Sequence, residues 1–500
     1  MNILFIYSLQ DFQTPRKPLR TEEGIQFGIS YISSFLKKHG HKTKLLFLSR
    51  IMSQRIAERA VDDCLKSFRP ELICFTAVYS EYGFMKKIAQ YVKIRYPHIY
   101  LIIGGCHVSL NPQTILSDDF DALCIGEGEY PTLELVSQLE NNRHPSGIPN
   151  LWIKDQNNIE KNPVRPFLQD IDSLPFPDRE MWKEWIEEMP GSRIPILLGR
   201  GCPFECTYCC NHALKRITAG RYVRLRSHKS ILEEIKDIVT RYPNKKGLYL
   251  EVESFGINME WAIGLCSLLE YFNKTLTEPL SFGVNLRVTS NADLEKLFLA
   301  CKNANFEFIN IGLESGSERV RREVLKRNYS NRDIINAVNL ARKYCLEVNF
   351  FNLIGIPGET VRDFQETVRM NRICQPAKIN PSIFFPYLGT ELYSLCKEKK
   401  LIKEDVHIEM ERRKATLDLP DFSRRQIQKS YFWFDFYVYK GYKPLHKLLL
   451  RYAVVKFSSN PSLKYVYRKL TNFFSLRRIK VGYIKKSLQQ KSENIVELTN

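Results

Sequence analysis

The sequence predicts an α/β protein built from an N-terminal doubly wound parallel sheet (residues 1–145), a partial (β/α)6 barrel of the TIM type (191–395) and a mainly helical, basic C-terminal region (396–500). Three observations indicate this fold class. Short apolar runs alternate with amphipathic helical stretches through the first two parts. A stretch rich in Pro and Asn, residues 146–190, lies between them and predicts a linker packed across both domains. Basic and aromatic residues are concentrated toward the C-terminus.

The first sheet is predicted from five apolar runs that end in glycine, polar or turn residues, at 2–8, 42–48, 71–78, 99–105 and 121–128. Helical stretches such as GFMKKIAQYVKIRYP lie between them, which is typical of a parallel sheet covered by helices on both faces. Ligands bind outside the carboxyl ends of such strands, and glycine there lets the backbone approach a bulky ligand. The predicted ligand-binding residues at these ends are Gly104, Gly105, His107, Gly126 and Glu127.

The barrel is predicted from six further β-rich runs separated by amphipathic helices, at 193–199, 247–253, 280–287, 306–313, 347–355 and 379–385. Six units fall short of the eight of a complete barrel. Catalytic groups of parallel barrels lie at the carboxyl ends of the strands. This rule selects a cysteine-rich loop after the first strand and, after the later strands, Glu251, Glu253, Arg287, Glu314, Ser315 and Gly355.

The cysteine-rich loop contains Cys202, Cys206 and Cys209 in a C-x3-C-x2-C pattern. A four-iron, four-sulfur cluster has four iron corners, so three thiolates leave one iron open to a substrate or cofactor. The alternative is zinc, but structural zinc takes four ligands and usually two C-x2-C pairs. His212 could complete a C-x2-C-x2-H run, so zinc stays open. Cys210 is expected to be an ordinary small buried hydrophobe.

Composition sets the broad class. Of the 500 residues 44% are hydrophobic and 26% are charged, which is typical of a soluble globular protein. The 13 cysteines lie scattered through apolar runs, and the start MNILFIYSLQDF is too short and too lightly charged for a signal peptide. A reducing, cytoplasmic location is therefore expected. No apolar stretch of about 18 residues predicts a membrane span.

The net charge of +19 is concentrated in residues 421–490, which contain 16 Lys and Arg but only 2 Asp. Aromatic residues such as Trp433 are interleaved with these cations. The combination suits peripheral contact with an anionic inner membrane surface, where cations meet headgroups and rings lie at the interface. A nucleic acid is the competing partner. A basic helical cap whose aromatic rings pack on the barrel is equally consistent with the sequence.

The three cysteines, with the aromatic Tyr208 just before the third, resemble the radical S-adenosylmethionine enzymes, in which the open iron chelates the amino and carboxylate groups of S-adenosylmethionine. The segments GISYISSFLKKHGH, IIGGCHVSLNP and CIGEGEYPTLELV are similar to the cobalamin-binding domain at the front of class B members of that family. The resemblance covers residues 1–395. One departure is that the loop YSLQDFQTPRKPLRTEEG lacks the cobalt-ligating His of the D-x-H-x-x-G motif; residues 142–147 (NRHPSG) mimic its spacing elsewhere.

The resemblance assigns expected roles to the selected residues. Glu251 and Glu253 would accept hydrogen bonds from the amino group of S-adenosylmethionine. Arg287 suits its carboxylate or a substrate anion. The ESGS segment, with Glu314 and Ser315, would reach the ribose hydroxyls or the substrate, and the GIPGET turn at Gly355 would lie beside the adenine. His107 is expected near the corrin edge or in solvent rather than as a cobalt ligand.

The implied cofactors are a 4Fe-4S cluster, S-adenosylmethionine and cobalamin, with a flavodoxin or ferredoxin as reductant. The implied reaction is reductive cleavage of S-adenosylmethionine to a 5'-deoxyadenosyl radical, most consistent with methylation of an unactivated carbon in a lipid or natural product. A radical cyclase or oxidoreductase, such as the anaerobic porphyrin ring cyclase, is the alternative enzyme. Methylthio transfer to RNA is less favoured, because a third cysteine cluster set in the N-terminal domain and a small C-terminal β-barrel would be expected for it. The N-terminal cysteines are too dispersed for such a set, and the tail is predicted to be helical. A non-catalytic iron–sulfur sensor also remains open, and in it Glu253 and Glu314 would have no catalytic role.

Overall fold

The computed structural model describes residues 1–9, 25–50, 52–155, 158–188, 193–290, 292–402, 408 and 411–459. Most of the histidine-free loop after the first strand, and the basic stretch beyond residue 459, lie outside the described residues.

The N-terminal sheet contains seven strands in the order β2-β1-β3-β4-β5-β6-β7. Strands β1 to β5 are parallel, which confirms the five predicted strands. Because β1 lies between β2 and β3, the chain changes direction across the sheet at β1, and ligands bind at such a switch point. The strands are β1 Asn2–Leu9, β2 Lys42–Ser49, β3 Leu72–Thr76, β4 Tyr100–Gly104, β5 Ala122–Cys124, β6 Leu151–Asp155 and β7 Asn158–Lys161.

Helices cover both faces of this sheet. Helices α1 and α5 pack on the face of the sheet that is nearer the barrel and bury one hydrophobic core there. Helices α2 and α3 pack on the opposite face and bury a second core. The helices of this part are α1 Phe27–Lys38, α2 Gln54–Phe68, α3 Tyr79–Arg95, α4 Cys106–Leu110, α5 Glu129–Glu140 and α6 Lys183–Glu188. The doubly wound fold class is confirmed.

The segment predicted as a linker is more ordered than its composition indicated. Strands β6 and β7 extend the first sheet with antiparallel pairings, and β6 alternates buried and half-buried side chains as a strand at one covered face does. Further on, Trp182 is fully buried and donates its indole N–H to the Ser30 hydroxyl (2.8 Å). Arg179 reaches into the barrel and pairs with the buried Glu234. The segment therefore joins the two domains through a shared core.

The barrel is an open sheet of six parallel strands in sequential order, as predicted. A short antiparallel pair, β9 and β10, flanks the cysteine-rich loop. The strands are β8 Ile194–Leu197, β9 Gly199–Arg200, β10 Arg224–Leu225, β11 Gly247–Glu251, β12 Ser281–Leu286, β13 Phe306–Glu314, β14 Glu347–Ile354 and β15 Lys378–Ile383.

The barrel helices begin at side chains that satisfy free backbone N–H groups. Ser330 with Asp333, and Thr360 with Asp363, form reciprocal capping boxes at the starts of α11 and α12. The helices are α7 Cys210–Leu214, α8 His228–Arg241, α9 Met259–Lys274, α10 Leu294–Asn303, α11 Asn331–Lys343, α12 Val361–Cys374 and α13 Glu391–Glu398.

Two helices of the C-terminal region are described, α14 Arg424–Tyr439 and α15 Leu445–Ser458. Helix α14 buries Tyr431 and Phe434 in a core that it shares with the end of the barrel, so these rings pack on the barrel. Helix α15 differs, since Leu445, Leu449 and Leu450 are exposed on it. Within the described residues, no helix is both long enough and apolar enough to cross a membrane.

Candidate active site

The cysteine-rich loop leaves the barrel at β9, crosses the open carboxyl ends of the strands and returns at β10. Cys206 is buried, whereas Cys202 and Cys209 are half-buried. Burial, with a smaller contribution from the charge of Glu253, raises the pKa of the Cys202 thiol to about 12. A hydrogen bond with Cys210, together with burial, raises the pKa of Cys209 as well. Iron ligation would therefore have to release these protons, as binding of thiophilic metals does.

The loop fits a cluster better than a single zinc ion. Tetrahedral zinc with bonds of about 2.3 Å draws its sulfur ligands to within about 4 Å of one another. No three His, Cys, Asp or Glu side chains in the described part of the chain converge closely enough to hold one ion. His212, which could have completed a zinc site, lies 3.7 Å from Glu391 instead. Three thiols without a fourth ligand match a cluster with one open iron.

Arg287, at the end of β12, contacts the cysteine-rich loop directly. Its Nη1 donates to the Cys206 sulfur at 2.9 Å, and its guanidinium lies 3.7 Å from the centroid of the Phe204 ring. Its buried Nε has no hydrogen-bond partner in the described structure. The predicted role beside the methionyl carboxylate needs a donor close to the cluster, and Arg287 provides one.

Glu314 ends β13 in an unusual backbone conformation with φ +58°, at a bulge in the pairing with β14. Its carboxylate accepts a hydrogen bond from Arg327 Nη1 (3.0 Å), and the same Nη1 donates to the Tyr208 hydroxyl (2.6 Å). Both charged side chains are largely buried. A non-glycine residue held in the left-handed region marks a constrained position of the kind found at active sites. Tyr208 is thereby fixed beside Cys209.

Two cavities adjoin the cysteine-rich loop. The first, here called the sheet cavity, measures about 390 Å³ and lies between the carboxyl ends of the first sheet and the loop. The glycine-rich turns of the sheet line one side, and Gly201, Tyr222 and two carboxylates of the barrel line the other. The predicted residues that the structure brings together here are Gly104, Gly105, Gly126, Glu127, Glu251 and Glu253.

The glycines of the sheet cavity are required by the backbone. Gly105 has φ +106°, and a Cβ there would lie 2.7 Å from the Ala77 carbonyl oxygen. Gly126 has φ +85°. The tight turns that these glycines allow leave an open edge free of bulky side chains, which fits a large flat cofactor. No histidine is among the described residues that line this cavity. The residues present therefore fit a corrinoid held without an imidazole from the protein.

Glu127 takes part in an ion-pair network between the domains. It contacts Arg200 (3.0 Å) and Arg224 (2.9 Å), and Arg200 also contacts Glu129 (2.6 Å). Burial alone would raise the pKa of Glu127, but the charges of the two arginines outweigh that effect and lower the pKa. Its carboxylate therefore joins the sheet to the barrel at the edge of the sheet cavity, and the direct cofactor contact stays a prediction.

The second cavity, here called the barrel cavity, measures about 370 Å³ and lies on the other side of the loop. The ends of β13, β14 and β15 line it together with residues that follow β3 and β4, and it reaches Tyr208, Cys209 and Glu314. His107 lies here and not at the sheet cavity. It is 5% exposed, so the expectation of a solvent residue is wrong. Burial lowers the pKa of His107 to about 4.

A pair of thiols links the two domains beside the loop. Cys106 of α4 lines both cavities, and its thiol hydrogen-bonds with that of Cys210, which in turn contacts Cys209. Cys210 is therefore part of a polar sulfur chain and not the ordinary hydrophobe that was expected.

Two predicted residues lie away from both cavities. Ser315 is fully buried between β13 and α12, where its hydroxyl lies 3.4 Å from that of Thr367. Gly355 faces α14, since a Cβ there would lie 2.8 Å from Ile427. Glu359 accepts hydrogen bonds from the N–H groups of Gly355 and Ile356, so its side chain satisfies the backbone of its own turn. The structure gives both residues packing roles at these positions.

Several site residues were not selected from the sequence. Arg327 contacts the loop from a distant position, and Tyr222 lies where the loop returns to β10; neither residue belongs to a local motif. Arg200 and Cys106 did carry a signal, because Arg200 directly precedes the cysteine motif and Cys106 directly follows the Gly104-Gly105 pair.

A cysteine loop with three thiols over a parallel half-barrel, facing a sheet with glycine-rich turns, defines an iron–sulfur enzyme with a second cofactor domain. Residues 196–370 match the family model described as Radical SAM superfamily, and residues 20–136 match that of the B12 binding domain. The chain belongs to the radical S-adenosylmethionine enzymes that carry a cobalamin-binding domain. Its cofactors are a 4Fe-4S cluster, S-adenosylmethionine and cobalamin.

Three known proteins illustrate the similarity. A protein named as an uncharacterized methyltransferase from Pyrococcus horikoshii is 25% identical over 81% of this chain and 86% of its own length. The anaerobic magnesium-protoporphyrin IX monomethyl ester cyclase of Cereibacter sphaeroides is 24% identical over 74% of this chain, but only 60% of the cyclase is covered. The structure of the cobalamin-dependent S-adenosylmethionine radical enzyme OxsB superposes with a TM-score of 0.69 at 15% identity, covering 95% of this chain and 75% of OxsB.

Proposed function

We propose that this enzyme transfers a methyl group to an unactivated carbon. The observation that carries the proposal is the position of the cysteine-rich loop between two cavities, because a cofactor in one and a substrate in the other would meet at the same cluster. The cluster and S-adenosylmethionine supply a 5'-deoxyadenosyl radical when bound, and cobalamin supplies a transferable methyl group.

The residues of the chain would position these partners. Cys202, Cys206 and Cys209 would bind the cluster, with Arg287 donating beside it. Glu251 and Glu253, on the sheet-cavity side, would accept hydrogen bonds from the amino group of S-adenosylmethionine. Glu314 and Arg327 would fix the face that the substrate contacts. The closely packed sheet and barrel would exclude water from the reacting groups, which reactive radicals require.

Methylation is favoured over ring formation because this chain covers a larger share of the methyltransferase relative than of the cyclase relative. The methyltransferase from Pyrococcus is covered over 86% of its length, whereas the cyclase extends well beyond the match. Cyclisation is the second candidate. A methylation substrate among lipids or natural products remains part of the proposal.

The test is anaerobic reconstitution with iron, sulfide and hydroxocobalamin, followed by assay with dithionite as the electron donor. We expect S-adenosylmethionine to yield both 5'-deoxyadenosine and S-adenosylhomocysteine, the latter only when cobalamin is bound. Changing Cys206 to Ala should abolish both products, while the exposed Cys345→Ala variant serves as the matched control. Formation of 5'-deoxyadenosine alone, in the presence of bound cobalamin and a turned-over substrate, would favour the cyclase instead.

We also propose a peripheral contact between α15 and an anionic membrane surface. Leu445, Leu449 and Leu450 are exposed on a helix that also carries Lys447 and Arg451, and this pairing of leucines with cations suits a headgroup layer. Changing Leu449 and Leu450 to Asp should abolish sedimentation with phosphatidylglycerol vesicles. The control is Ile94→Asp, which alters an even more exposed apolar residue on α3. Equal sedimentation of both variants would refute the contact.

A further inference from the structure

The barrel cavity has an aromatic lining that the family assignment does not explain. Tyr79 lies 5.1 Å from His107 and 6.0 Å from Phe385, and Phe385 lies 5.1 Å from Tyr387, measured between ring centroids. Two of these rings come from the first domain and two from the barrel. Rings at such distances bind a flat ring by edge and face contacts, each worth about 0.5–1.5 kcal/mol beyond the area buried.

The positively charged groups around this cavity already have partners. Glu314 is paired with Arg327, and Arg412 donates to the Tyr387 hydroxyl (2.9 Å). His107 is neutral at pH 7 because burial lowers its pKa to about 4. An anionic group on a ligand would therefore lose its hydration without gaining a free positive counter-charge, which is costly.

One acceptor points to a complementary donor on the ligand. Glu411 accepts a hydrogen bond from the Ser80 hydroxyl through Oε1, but its Oε2 is buried and has no hydrogen-bond partner in the described structure. A buried carboxylate oxygen without a donor is unfavourable, so a ligand hydroxyl or N–H would satisfy it. Asn380 and Ser382, which lie two residues apart on β15, add neutral polar groups to the same lining.

The size of the cavity sets the scale of the ligand. A volume of about 370 Å³, at roughly 20–30 Å³ for each non-hydrogen atom, accommodates about 12 to 18 such atoms. That is a fused bicyclic or tricyclic ring system with few substituents, or the reacting part of a larger molecule.

We propose that the barrel cavity binds the substrate as a flat, largely apolar ring system that carries no anionic group and donates a hydrogen bond to Glu411. This inference rests on the proposed function in one respect: it takes the molecule in this cavity to be the one that is modified. Contact with Tyr208 and Cys209 on one side and Cys106 on the other would hold such a ring between the cluster loop and the sheet cavity.

Equilibrium dialysis of the reconstituted holoenzyme tests the proposal with defined probes. 2-Naphthol, which is neutral and carries one hydroxyl donor, should bind. 2-Methoxynaphthalene, which lacks the donor, should bind about tenfold more weakly or worse, because Glu411 stays unsatisfied. Naphthalene-2-sulfonate should not bind. Changing Phe385 to Ala should weaken 2-naphthol binding at least tenfold, whereas Phe432→Ala, on α14 outside both cavities, should leave binding unchanged.

A second variant keeps the test independent of folding. In Glu411→Leu, the preference for 2-naphthol over 2-methoxynaphthalene should fall from about tenfold to near parity, while 2-methoxynaphthalene still binds. Equal binding of 1-decanol and 2-naphthol would overturn the ring class in favour of an acyl chain, and binding of the sulfonate would overturn the exclusion of anionic groups. Dialysis involves no turnover, so absent probe binding with normal S-adenosylmethionine cleavage refutes the substrate class alone. Normal probe binding without methyl transfer refutes the proposed function alone.

Discussion

Replacing Glu314 tests whether the strained end of β13 is held in place by its ion pair. The side chains of Glu314 and Arg327 are 12% and 7% exposed, and they meet at 3.0 Å. At an effective dielectric constant of about 20, opposite charges about 4 Å apart attract by about 4 kcal/mol. Removing one partner of a buried pair costs about 3–5 kcal/mol, because the other charge is left without compensation. We expect Glu314→Ala to lower the local opening free energy by that amount.

The backbone provides an internal check on this reasoning. Glu314 has φ +58°, a conformation that costs a residue with a side chain about 1–2 kcal/mol. Glu314→Gly lacks the ion pair just as the Ala variant does, but it is free of that strain. The Gly variant should therefore be more stable than the Ala variant by about 1 kcal/mol. Glu314→Gln, which keeps an acceptor for Arg327, should lose only about half as much as Ala.

Hydrogen exchange of peptides covering residues 306–329, read by mass spectrometry, measures the opening free energy of this region without requiring the whole chain to unfold as one unit. Arg327→Met completes a double-mutant cycle. If Glu314→Ala and Arg327→Met have additive effects within about 0.5 kcal/mol, the two residues are not energetically coupled and the ion pair does not hold the turn. If the double variant loses at least about 2 kcal/mol less than the sum of the two single losses, the coupling is supported.

Three further predictions concern buried groups and turns. His107 binds a proton less readily in the folded protein than in the unfolded chain. The free energy of unfolding should therefore fall by up to about 3 kcal/mol as pH decreases from 6.5 to 4. The His107→Gln variant should flatten that part of the Tm-versus-pH curve. Burial raises the pKa of Glu359 to about 8, so folding loses stability as pH rises from 4.5 through 8; Glu359→Gln should gain Tm relative to the parent between pH 6 and 9. Gly105→Ala should abolish retention of cobalamin on gel filtration, because the new Cβ meets the Ala77 carbonyl, whereas Gly83→Ala has open space and should retain it.

Most of the fold could be predicted from the sequence because buried parallel strands leave continuous apolar runs. All five parallel strands of the first domain and all six parallel strands of the barrel carry such runs. Strands β6 and β7 could not be predicted in the same way. Strand β6 buries only two of its five side chains, and both strands lie in a segment whose Pro and Asn content indicates irregular structure. Strand β6 is held by its pairing with β5, and β7 by its pairing with β6, so long-range hydrogen bonds form strands that the local composition does not predict.

The site residues that belong to a sequence motif could be predicted. The site residues whose positions depend on how the two domains dock could not. The three cysteines, Tyr208 and Glu314 follow from local spacing. The cavity that His107 lines depends on how α4 meets the barrel, and the contact between Arg327 and Tyr208 joins residues 119 positions apart. Glu127 was placed at the correct cavity, but its two arginine partners could not be identified from its neighbours in sequence.

The way the domains dock gives the first domain a role beyond binding cobalamin. Tyr79 and His107 follow strands of the first sheet, yet they line the barrel cavity, where the substrate is proposed to bind. The ion pairs of Arg200 with Glu127 and Glu129 hold the sheet against the strand that enters the cysteine-rich loop. A shift of the sheet would therefore move the wall of both cavities at once. Substrate selectivity should consequently respond to changes at this interface that touch no ligand, since the interface sets the distance between the two cavities.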